Sequence, residues 1–96
     1  MTQQEIVEAL RKRGFKQIEI ENDVVLADFG IENEYWVIIQ PDSDEEWLHC
    51  TLQSHTPETL RDGLYQSLDE ALFEFAILAT VDFAKFHEQW RLRSTR

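Results

Sequence analysis

Positive charge is nearly absent from the centre of this chain. Between Gln17 and Ala84 one base, Arg61, stands against sixteen Asp or Glu, a local charge of −15 within a total of −10 at neutral pH. The remaining bases gather at the two ends, in Arg11, Lys12, Arg13 and Lys16 and again in Lys85, Arg91, Arg93 and Arg96. A surface so poor in cations repels phosphate, so neither nucleic acid nor an anionic membrane is expected as a partner. Cysteine is almost missing too. Cys50 alone cannot close an internal disulfide, and no basic stretch followed by an apolar run opens the sequence, so a cytoplasmic protein is expected. Long hydrophobic runs are lacking as well: the nearest, Ala71 to Ala84, is broken by Glu74, Thr80 and Asp82 and is too short for a bilayer span. With three Gly and two Pro, the chain shows no low-complexity segment, repeat or linker.

What is present is a core. Apolar residues make up 43% of the 96 positions, with three Trp, two Tyr and six Phe, which is the composition of a globular chain despite the charge. The length suits one domain, read here as residues 1–92 with a loose tail at 93–96.

Thr2-Gln3-Gln4-Glu5 has the spacing of a capping box, in which hydroxyl and carboxylate satisfy amides of the first helical turn. A short helix is predicted from Gln3, with Ile6, Val7 and Leu10 on one face. Arg11-Lys12-Arg13 before Gly14 give a last turn suited to the helix dipole and a left-handed stop. From Phe15 to Ser54 the period becomes two, and four strands are predicted near Lys16 to Glu21, Val24 to Phe29, Tyr35 to Gln40 and Glu46 to Gln53. Asn22-Asp23 supplies a tight turn between the first two. The third strand is apolar on both faces, Tyr35, Val37 and Ile39 against Trp36 and Ile38, and is expected to be covered on both sides. Thr56-Pro57-Glu58 reads as the start of a short helical connector that Gly63 ends. Ser67 to Glu70 repeats the capping-box spacing and opens a long helix to about Trp90. Its stripe of Leu68, Leu72, Phe75, Ala79, Phe83, Phe86 and Trp90 recurs at steps of three or four and predicts a continuous core contact. Together these elements predict an α+β domain: a four-stranded antiparallel meander with the short N-terminal and long C-terminal helices packed on one face.

The far side of the long helix is apolar too, in Phe73, Ile77, Val81 and Ala84. One sheet cannot cover both stripes, so either the N-terminal helix packs there or a second copy of the chain does; two apolar faces in so small a domain favour the second, which makes these four residues the candidate interface of a homodimer.

No catalytic or cofactor motif is found, and neither an enzyme nor a cofactor or metal is expected. His49, Cys50 and His55 match no zinc spacing, and neighbours on a strand point to opposite faces, so Cys50 is read as a core residue and His49 as an outer one. Asp42-Ser43-Asp44-Glu45-Glu46 lacks the glycine and the distant Glu of a calcium loop and reads as a solvated tip. Asp82, near the edge of the core stripe, is expected to pair with an Arg or with a hydroxyl such as Tyr35 or Tyr65. The basic ends are explained by dipole compensation.

An exposed aromatic in an acidic rim suits a protein interface, so Trp36 and Trp47 are candidate contacts, although packing under the sheet or within a homodimer explains them equally well. The expected function is that of a small non-enzymatic module engaging a basic surface of another protein. Glu19, Glu21, Asp23, Asp28, Glu32, Glu34, Asp42, Asp44, Glu45 and Glu46 would supply the charge. In one form of this expectation the carboxylates imitate DNA phosphates, as in an inhibitor of a restriction or CRISPR complex. The rival expectation is a homodimeric chaperone or assembly factor that holds a client on a sheet face.

Overall fold

The computed structural model describes residues 1–30, 34–41, 46–54, 56 and 58–94, with the helical backbone alone at 87 and 89–94. The chain is α+β, with helix α1 (Gln3–Lys12), strands β1 (Ile18–Glu21), β2 (Val24–Asp28), β3 (Tyr35–Pro41), β4 (Leu48–Ser54) and β5 (Thr59–Tyr65), and helix α2 (Leu68–Ser94). The strands form one antiparallel sheet in sequence order, β1-β2-β3-β4-β5.

The N-terminal signals act as their chemistry dictates. Glu5 N–H donates to the Thr2 hydroxyl at 3.2 Å and Thr2 N–H donates to the Glu5 carboxylate at 3.0 Å, closing the capping box of α1. Gly14 takes φ of 92°, which lets Phe15 N–H turn back to the Leu10 carbonyl. Asn22 takes φ of 52° in the β1–β2 turn.

Five strands form, not four. The stretch predicted as a helical connector is β5, paired along the whole of β4 with a bulge at Leu52/Gln53. Gly63 sits inside the strand opposite Cys50, and a Cβ there would meet the Tyr65 ring at 3.4 Å. That is ordinary van der Waals distance, so the glycine is accommodated within the strand and does not stop a helix.

Both helices lie on the same sheet face. Ile6, Val7 and Leu10 of α1, with Leu68, Ala71, Leu72, Phe75 and Ala79 of α2, share one core with Val25, Ala27, Tyr35, Val37, Ile39, Leu48, Cys50 and Leu52. α1 packs on β1–β3 and α2 on β4 and β5. Arg13, at the end of α1, binds Asp69 at the start of α2 through two hydrogen bonds of 2.6 and 3.0 Å and so ties the helices together.

Three further expectations change. β3 is covered on one side only: Tyr35, Val37 and Ile39 are buried, while Trp36 and Ile38 are half-buried on a face where no described element packs. The core stripe of α2 ends at the half-buried Phe83, because the sheet ends there, and Phe86 is exposed. The helix runs on to Ser94 rather than stopping near Trp90, whose side chain lies outside the described residues.

Candidate functional site

Alternation in the five strands builds the open face of the sheet. The register sets Glu19 of β1 beside Leu26, Leu26 beside Ile38, Ile38 beside Thr51 and Thr51 beside Asp62, one row across all five strands. It runs acid, apolar, apolar, hydroxyl, acid. A second row joins Asp28, Trp36, Gln53 and Thr59, and on the other flank Glu21 stands beside Val24 and His49 beside Leu64. Leu26, Trp36 and Ile38 are half-buried with no described element packed over them, and Leu64 remains 55% exposed. An apolar centre with carboxylates at both margins is therefore built into the pleat.

The two margins differ. Glu19, Glu21 and Asp23 are exposed and make no ion pair among the described residues, so their charge is fully presented to solvent. Asp62 is engaged: its Oδ1 accepts from the Thr51 hydroxyl at 2.8 Å and lies 2.5 Å from His49 Nε2. The Thr51 hydrogen bond, then that of His49, holds the Asp62 carboxyl below its ordinary range. This small polar cluster fixes the β4–β5 end of the surface.

Other carboxylates serve the fold. Tyr35 donates to Asp82 Oδ2 at 2.7 Å, the pairing expected for Asp82, and Tyr65 donates to Glu74 Oε2 at 2.7 Å while Arg61 Nη2 lies 2.9 Å from Glu74 Oε1. Burial, then the bond to Asp82, pushes the Tyr35 phenol well above its usual value.

The predicted contacts fall in different places. Glu19, Glu21 and Trp36 share the open face, and Asp23 occupies the hairpin at its edge. Trp47 precedes β4 and is half-buried, beside the exposed Glu46. Glu34 is half-buried at the start of β3. Asp28 is 6% exposed, with Oδ1 accepting from Gly30 N–H at 2.6 Å, and does not present charge to a partner. Glu32, Asp42, Asp44 and Glu45 lie outside the described residues. Leu26, Ile38 and Asp62 were not singled out from the sequence. Strand alternation carried the first two, whereas Asp62 required β5 to be recognised.

Cys50 and His49 diverge to opposite faces. Cys50 is enclosed in the core, and burial pushes its thiol up to about 12, so no thiolate nucleophile exists there near neutral pH. A cleft of about 520 Å³ beside Arg13, Phe15, Lys16, Asp28 and Phe29 contains the buried Asp28 carboxylate, but its Oδ2 is sealed from solvent. Among the described residues no helix is long and apolar enough to cross a membrane.

Compared with family models, curated proteins and solved structures, the chain has no significant match to any.

Proposed function

We propose that this chain is a non-enzymatic binding module that holds a basic, partly apolar surface of another protein against the open face of its sheet. The observation that carries this reading is the row Glu19, Leu26, Ile38, Thr51, Asp62, with Trp36 beside it. An apolar centre supplies area that a partner can desolvate, and Glu19, Glu21 and Asp23 at one margin, without an ion pair among the described residues, attract and orient cations on that partner. A net charge of −10 extends the attraction well beyond contact. Two arginines do neutralise carboxylates, Arg13 on Asp69 and Arg61 on Glu74, but both pairs belong to the helix side and leave the β1 margin charged. An imitation of DNA calls for acids where phosphates would run. Apolar side chains fill the middle of this surface, which favours recognition of a protein surface over imitation of a duplex.

The test uses a protein recovered from the native host with the tagged chain, titrated into isotopically labelled wild type and followed by amide shifts. The expected shifts cluster at Glu19, Leu26, Trp36 and Ile38, and both Ile38→Asp and the pair Glu19→Lys with Glu21→Lys lose binding without losing the fold. Shifts confined to α2, or variants that bind as well as wild type, would refute the reading. Displacement of the same protein by duplex DNA would transfer the assignment to DNA imitation.

A further inference from the structure

The outward stripe of α2 calls for a different partner. Phe73, Ile77 and Val81 are 72, 50 and 47% exposed, and at about 100° per residue they fall with Ala84 inside an arc of about 80° on the side away from the core. So much aromatic and branched area on one turn-by-turn seam is unusual for a surface left bare.

We propose that the chain is a homodimer in which α2 packs antiparallel on α2 of a second copy, about a two-fold axis beside Ile77. Two features of the stripe point to a second copy rather than to a foreign chain. The first is shape. Rotation about Ile77 sets Phe73, four residues before it, at the height of Val81 of the second copy, four residues after it, and because the two lie about 40° to either side of Ile77 on the wheel, a large ring and a small branched side chain face each other across the seam on both sides of the axis. The second is charge. Lys85 follows Ile77 by eight residues and Glu70 precedes it by seven, so the rotation brings them within about 1.5 Å of the same height along the axis. On the helical wheel they lie about 80° and about 20° round from Ile77 in the same direction, and a two-fold axis keeps them on one flank of the seam. Each dimer therefore gains two Lys85–Glu70 pairs, and neither residue has an ion-pair partner of its own among the described residues. Parallel packing would set Glu70 against Glu70 and Lys85 against Lys85 instead.

The seam is one helix wide. It falls short of the roughly 800 Å² per partner of a standard interface, so the dimer should dissociate in the micromolar range. It also points away from the sheet, which leaves the open face free, and the proposal does not rest on the reading of that face.

Sedimentation velocity of the full chain from about 10 to about 500 μM tests it, because a micromolar equilibrium shifts from monomer to dimer across that span. Ile77→Asp should be monomeric throughout with an unchanged circular dichroism spectrum, since Ile77 is half exposed and supports no core contact. Glu70→Lys and Lys85→Glu should each weaken the dimer at least about tenfold, and the two together should restore it. A wild type that stays monomeric at the top concentration overturns the proposal, as does a dimer indifferent to Ile77→Asp. Single charge variants that weaken association while the double variant does not recover it overturn the antiparallel register.

Discussion

Tyr35 shows how single residues carry both fold and electrostatics here. Its ring is enclosed in the core while its hydroxyl reaches Asp82 at 2.7 Å, so one side chain joins β3 to the second half of α2. Tyr35→Phe keeps the ring and removes the bond to a charged acceptor, and should cost about 1.5–3 kcal/mol in urea unfolding at neutral pH. Because the folded phenol titrates above the unfolded one, its contribution is fully present below the ordinary tyrosine value of about 10 and is lost as pH rises through the higher folded value. The wild type should therefore lose stability above about pH 10 more steeply than Tyr35→Phe does. The position of Asp82 at the edge of a helical stripe made this pairing legible in advance. Asp28 was not legible: an aspartate in an alternating strand reads as solvated, and only the turn at Gly30 explains why its carboxylate is drawn inward.

At the scale of elements, most of the chain announced itself. The Thr2 to Glu5 spacing fixed the start of α1, and alternation from Ile18 to Leu52 fixed four strands to within a few residues. β5 stayed hidden because Thr56-Pro57-Glu58 imitates a helix start and because Gly63 reads as a terminator. Its pattern is also weak, since it is an edge strand in which only Tyr65 is buried. The second apolar face of β3 misled in another way: Trp36 and Ile38 suggested a covering layer where the structure shows an open one. The β1–β2 hairpin offers a direct check on turn chemistry. Asn22 holds φ of 52°, and its carbonyl accepts from Gln3 Nε2 at 2.8 Å, a bond that side-chain replacement leaves in place. Asn22→Gly should be neutral within about 0.5 kcal/mol, whereas Asn22→Val should cost about 1–2 kcal/mol in thermal or urea unfolding.

The whole molecule measures 52 × 23 × 21 Å, long because a 27-residue helix of about 40 Å outruns the sheet it packs on. Two apolar surfaces result, one on the open sheet and one on the outer side of α2, separated by the shared core. The chain's charge is not spread evenly between them: Asp69, Glu74 and Asp82 on the helix side are engaged by Arg13, Arg61 and two tyrosines, while Glu19, Glu21 and Asp23 on the β1 margin make no ion pair among the described residues. Recognition through that margin, as proposed, would be screened by ions, with a Debye length of about 10 Å at 0.1 M salt. The decisive measurement is the affinity of the wild type and of the Glu19→Lys, Glu21→Lys variant for the same host protein, from low to physiological salt. Binding by the wild type should weaken as salt rises, and the variant should bind poorly at every salt concentration. A wild-type affinity that ignores salt, matched by the variant, would contradict the account.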